Sequence, residues 1–159
     1  MTVTFCGHSD VDDAAAVQVW LDETITQLCH RGARRFLLGG YGHFDRMAAA
    51  AVWQAKTSFP EISSVLVLPY INKKADMTFY DYSLYPSLES VPKRYAILKR
   101  NQSMVDEADI VVAYVLHDWG GAVKTLDYAM RKGKPVIRFG DTKLTSLPGH
   151  SSAKTTPHF

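Results

Sequence analysis

With 159 residues, 47% of them hydrophobic, the chain is long enough to bury the core of one domain and too short for two of ordinary size. Its 18 basic and 16 acidic side chains leave a formal net charge of +2, which excludes both the polybasic surface of a general nucleic-acid binder and an acidic tail. Any anionic partner has to be met by local groups.

Met1 is followed directly by Thr-Val-Thr-Phe-Cys, without the basic and apolar regions of a secretory signal, and no window reaches the roughly 18 apolar residues of a membrane helix. A cytosolic protein without membrane contact is expected. Cys6 and Cys29 form neither a CxxC pair nor a disulfide framework and read as small buried residues.

Residues 2 to 6 predict a strand that ends at Gly7. Ser9 and Asp10 are good N-caps, and Ala14, Val17, Leu21, Ile25 and Leu28 then recur at helical spacing until Gly32 stops the helix. Residues 34 to 38 predict a second strand, the alanine-rich run from Phe44 to Lys56 a second helix, and residues 62 to 68 a third strand closed by Pro69. The long connection that follows, rich in tyrosine and broken by Pro86 and Pro92, reads as a structureless functional or mobile loop. A third helix over residues 92 to 107 leads into the apolar strand Ala-Asp-Ile-Val-Val-Ala-Tyr-Val. A glycine-opened helix stopped by Gly133 and the strand Pro-Val-Ile-Arg-Phe complete the pattern.

This alternation implies an α/β, Rossmann-like three-layer sandwich over residues 1–140, with a mainly parallel sheet of five strands or slightly more. Residues 141–159 are polar and aperiodic and read as a loosely ordered tail.

Ligands of open parallel sheets bind at the carboxyl ends of the strands. Three segments gather there: Cys-Gly-His-Ser-Asp, Gly-Gly-Tyr-Gly-His-Phe-Asp and His-Asp-Trp-Gly-Gly-Ala-Val-Lys-Thr. Each carries glycine and opens a helix, so backbone N–H groups and a positive helix end face one space, as an anion site requires. The candidate ligand residues are Gly7, His8, Ser9, Gly39, Gly40, Gly42, Asp45, Gly120, Gly121, Lys124 and Thr125. Each has a plainer role open to it. Ser9 and Asp45 can serve only as helix caps, Lys124 can face solvent, and Thr125 can simply pack.

Tyr70, just after the third strand, is placed either to stack a base or to pack. Arg94 and Asn101 share a helix face while Arg100 points elsewhere, and all three read as phosphate ligands or as a solvated face. GxxxxGK[ST], GxGxxG and HExxH are all absent, so NTP hydrolysis, hydride transfer and a metal site at His43, His117 or Asp118 are not expected. No cofactor is assigned.

Thr-Phe-Cys-Gly-His-Ser-Asp, Leu-Leu-Gly-Gly-Tyr-Gly-His-Phe-Asp, Leu-Val-Leu-Pro-Tyr and the run from Lys93 to Ile137, with its Arg-Asn-x-x-Met-Val-Asp and Trp-Gly-Gly-Ala elements, resemble the short YpsA-like proteins of the SLOG superfamily. That superfamily includes DprA and the cytokinin-activating LOG proteins. The resemblance covers residues 2 to 138 and implies a Rossmann-like fold that binds nucleotides or nucleotide-derived ligands, with Arg100 and Asn101 at the site. Gly120 and Gly121 match the glycine pair of the LOG motif PGGxGTxxE, and Asp127 stands at its glutamate. Trp119, Val123 and Lys124 replace its proline, later glycine and threonine.

Two functions follow as expectations. The first is a sensing or regulatory domain for a nucleoside phosphate or ADP-ribose-type ligand, with a homo-oligomer open to it. The second is a phosphoribohydrolase acting on a nucleoside monophosphate, with Asp127 as catalytic carboxylate and Arg100 or Arg94 as phosphate clamp.

Overall fold

The computed structural model describes residues 1–71 and 74–141; the expected tail, beyond Asp141, lies outside the described residues. The elements are β1 (Thr2–Gly7), α1 (Ala14–His30), β2 (Arg35–Leu38), α2 (Gly42–Ala55), β3 (Ser63–Val67), β4 (Tyr82–Leu84), α3 (Lys93–Glu107), β5 (Ile110–Tyr114), α4 (Gly121–Arg131) and β6 (Val136–Arg138). They build one parallel sheet in the order β4-β3-β2-β1-β5-β6. Among the described residues no helix is long and apolar enough to cross a membrane.

Alternation along the strands divides the core. Val3 and Phe5 join Phe36, Leu38, Val112 and Tyr114 under the apolar stripe of α1 and the alanine face of α2. Cys6, Val111, Ala113 and Val115 face the other way, onto α4 and the end of α3. Both faces are therefore covered, which is why β5 reads as an unbroken apolar run. Phe44 of α2 stacks on Tyr114 with ring centroids 5.5 Å apart, and a Cβ at Gly7 would overlap the Phe44 ring.

Three expectations need correction. The sheet has six strands, because the long connection contains β4, whose three residues are too few and too exposed to show a period. The connection is also anchored. The Lys56 ammonium binds Asp81 at 2.7 Å, Asp81 accepts the Ser64 N–H at 2.8 Å, and the Ser64 hydroxyl donates to the Phe79 carbonyl at 2.7 Å. Finally, α1 is capped by Asp13, which accepts from the Ala16 N–H at 3.1 Å, and not by Ser9 or Asp10.

The carboxyl edge is tied together by Arg100, which is 1% exposed. With Ala96 and Met104 it forms the buried stripe of α3. Its Nη1 donates to the carbonyls of Gly39 (2.7 Å) and Val67 (2.9 Å), at the ends of β2 and β3, and its Nε to the Asn101 side chain at 2.9 Å. Beside it, the buried Asp45 carboxylate accepts the N–H groups of Gly39 (3.0 Å) and Tyr41 (3.3 Å). Burial raises the Asp45 pKa, opposed by those N–H groups and by Arg100; burial lowers that of Arg100, opposed by Asp45. Replacing Arg100 with methionine strands two buried carbonyls and a buried carboxylate. The expected cost is about 3 to 5 kcal/mol in urea denaturation, and adding Asp45→Asn to Arg100→Met costs less than the sum of the single changes.

Candidate functional site

β1 lies between β2 and β5, and the two connections at its edge diverge: α1 returns over one face of the sheet and α4 over the other. This is the switch point where α/β sheets hold ligands. A cleft of ≈ 560 Å³ opens there, walled by the β1–α1 loop, the β5–α4 loop and the inner side of α3.

Of the expected residues, Gly7, His8, Ser9, Asp45, Arg100, Asn101, Gly120, Gly121 and Thr125 line this cleft. Several of them are already engaged. Thr125 donates to the Gly121 carbonyl at 3.0 Å, and Arg100 and Asp45 hold the strand ends as described. His8 is buried, and its Nε2 accepts the N–H groups of Leu116 (2.8 Å) and, more weakly, His117 (3.4 Å). His8 thus fixes the β5–α4 loop against β1. Asp45 does not cap α2; it closes the preceding turn.

The remaining candidates lie elsewhere. A Cβ at Gly39 would come 2.9 Å from Arg100 Cζ, and one at Gly40 would come 2.7 Å from Leu66 Cδ1. Gly42 has φ of +88°, and a Cβ there would meet Ser9 Cα at 2.9 Å. These three glycines serve contacts within the protein. Tyr70 donates to the Lys93 carbonyl at 3.2 Å and lines a separate groove with Tyr85, Leu88 and Val91. Arg94 is exposed, its guanidinium 4.8 Å from the centre of the Tyr95 ring. Lys124 and Asp127 do not line the cleft: both border a groove between α3 and α4 with Leu98 and Gln102, and Asp127 also borders one beside the β5–α4 loop with Val123 and Arg138.

The lining residues that sequence reasoning did not name as ligand candidates include Asp10, Asp12, Tyr41 and Trp119. His117, weighed only as a metal ligand, also lines it. The rings of His8 and His117 stack at 3.5 Å, and those of His117 and Trp119 again at 3.5 Å. No short-range signal marks this stack, because His8 and His117 are 109 positions apart.

The walls differ in electrostatics. Asp10 and Asp12 place carboxylates on the α1 side, where the helix start is already capped by Asp13. The start of α4 has no side-chain cap and no acidic residue in its first turn, and Cβ atoms at Gly120 or Gly121 would meet nothing within 4 Å. An anion is favoured at α4 and disfavoured at α1. Burial, then the nearby Asp45, pushes the Cys6 thiol up to about 12, so it is no nucleophile at neutral pH. Among the described residues no group of three or more His, Cys, Asp or Glu could hold a metal ion.

No family model and no curated protein matches the chain. Solved structures share its fold. TM1055 superposes with a TM-score of 0.60 at 19% identity over 86% of this chain and 72% of that one. DNA processing protein A (DprA) from Helicobacter pylori gives 0.62 at 15% over 87% of this chain, which spans only 64% of that protein. The molybdenum cofactor carrier protein from Chlamydomonas reinhardtii gives 0.58 at 19% over 86% of this chain and 74% of that one. The Rossmann-like fold implied by the resemblance to DprA's superfamily is therefore the fold of this chain.

His8 generates a pH dependence. Burial and His117 lower its pKa, against a smaller opposing effect of Asp12, so the folded protein holds the neutral ring that accepts the Leu116 N–H. An unfolded histidine takes a proton near pH 6.5. This contribution to stability is complete above that value and is lost as the pH falls from there toward the lower folded pKa. His8→Gln keeps an acceptor but cannot be protonated. Urea midpoints at pH 7.5 and 5.5 are expected to differ less for the variant than for the wild type.

Proposed function

We propose that the chain binds a nucleotide or nucleotide-derived ligand, of the nucleoside phosphate or ADP-ribose type, in the switch-point cleft and acts as a sensing or regulatory domain. The observation that carries this reading is the uncapped start of α4. It opens onto the cleft over two glycines with clear space above them, as an anion seated on backbone N–H groups requires. The cleft volume, ≈ 560 Å³, falls among those of small-molecule sites, roughly 300 to 1,000 Å³.

Binding is favoured over catalysis because three of the polar groups that line the cleft are already committed to structural bonds: His8 to the Leu116 N–H, Thr125 to Gly121, and Arg100 to two carbonyls. The hydrolase reading draws no support from Asp127, which is absent from the cleft lining and borders neighbouring grooves. The Helicobacter protein binds single-stranded DNA, and the Chlamydomonas protein carries a molybdenum cofactor. A small ligand suits this chain better than a nucleic-acid strand, since Asp10 and Asp12 on one wall repel a continuous phosphate backbone.

Thermal-shift and mass-spectrometric screening with nucleoside monophosphates, NAD and ADP-ribose tests the proposal. At least one is expected to stabilise the protein unchanged, by about 3 kcal/mol at 100 times its Kd. Gly121→Asp, which puts a carboxylate at the start of α4, is expected to abolish that shift without loss of fold. Release of free base would replace this reading with the hydrolase; absence of any shift would overturn both.

A further inference from the structure

We propose that the outer face of the Trp119 indole is the stacking platform for a planar heteroaromatic ring, so that the cleft selects its ligand by the base as well as by an anion. This deepens the reading of the cleft given above and rests on it. His8, His117 and Trp119 form one continuous pile, with ring centroids 3.5 Å apart at both steps and interplanar angles of 13° and 19°. The pile runs from the buried His8 to Trp119, which is 66% exposed while lining the cleft.

Its inner end is fixed. His8 accepts the Leu116 N–H and meets the Tyr114 ring edge-on at 5.7 Å between centroids. Trp119 is therefore held from below by two rings, and a third planar ring can extend the pile at little entropic cost. Tyr41 is equally exposed and also lines the cleft, but among the described residues no ring contact holds it.

Two further features fit a nitrogen heterocycle with a short polar arm. His117 Nδ1 is buried and has no hydrogen-bond partner among the described residues, an arrangement that a polar atom on a bound ligand would relieve. Gly120, next in the chain to Trp119, has φ of +98° and open space around it, so a substituent can pass from the stack to the first turn of α4. The carboxylates of Asp10 and Asp12, which also line the cleft, suit the hydroxyl or amino donors of a ribose or base.

Isothermal titration with adenosine, guanosine and cytidine 5′-monophosphates and with ribose 5-phosphate tests this, using the wild type, Trp119→Ala, Trp119→Phe and Tyr41→Ala. Base stacking lost on truncation to alanine is expected to weaken the best monophosphate at least about fivefold. Trp119→Phe should retain most of the affinity, Tyr41→Ala should cost less than Trp119→Ala, and ribose 5-phosphate should bind the wild type and Trp119→Ala alike. If Trp119→Ala binds the monophosphate as tightly as the wild type, or ribose 5-phosphate binds the wild type as tightly as the monophosphate, stacking is refuted while the cleft reading stands. If no probe binds the wild type, the stacking proposal fails, and the cleft reading fails with it if NAD and ADP-ribose also give no thermal shift.

Discussion

A single guanidinium among the carboxyl ends of two strands constrains everything around it. Arg100 cannot be buried without partners, and the partners within reach are the carbonyls of Gly39 and Val67, so β2, β3 and α3 have to end in register with one another. The guanidinium and the Asp45 carboxylate both press on Gly39, at 2.9 and 3.1 Å from where a Cβ would stand, which leaves no room for a side chain there. Asp45 in turn holds the Gly39 and Tyr41 N–H groups, and so fixes where α2 begins. One residue earlier in that helix, Phe44 lies across the end of β1 and demands glycine at position 7. The floor of the cleft thus follows from one buried charge in its own α3 wall.

This chain of contacts separates two uses of glycine that look alike in the sequence. Gly7, Gly39, Gly40 and Gly42 are small because side chains or backbone of the protein occupy the space beside them. Gly120 and Gly121 have nothing beside them at all, and the space they leave is part of the cleft. A glycine-rich turn after a strand is consistent with either use. Only the volume around each missing Cβ distinguishes packing from an open approach to the main chain.

Most of the fold was legible because it rests on local periodicity. The stripe of α1, the alanine face of α2, the apolar run of β5 and the stops at Gly32 and Gly133 are all visible over ten or so residues. β4 was not, since three half-exposed edge residues carry no period. The site was legible in outline only. Strand ends identified the loops that wall the cleft, but the side of α4 that faces it belongs to Thr125 and not to Lys124 or Asp127. Arg100 could have been recognised as buried from its four-residue spacing to Ala96 and Met104, both apolar and both buried. The aromatic pile was beyond reach, because it joins two loops that only the pairing of β1 with β5 brings together.

The same pairing underlies the proposal that the cleft holds a ligand and does not transform it. Acid–base chemistry needs a group whose proton is free to move toward the ligand. Here the His8 Nε2 lone pair is turned to the Leu116 backbone, the Thr125 hydroxyl to its own helix, and Cys6 is kept as a thiol by burial. Each of these bonds strengthens the walls at the expense of reactivity. Among the groups that face the space are two carboxylates on one side, a helix start on the other and an exposed indole. Such a set can read charge, hydrogen-bond donors and ring shape at once. Selectivity of that kind depends on the walls staying in place, which the buried Arg100 and the pinned β5–α4 loop enforce.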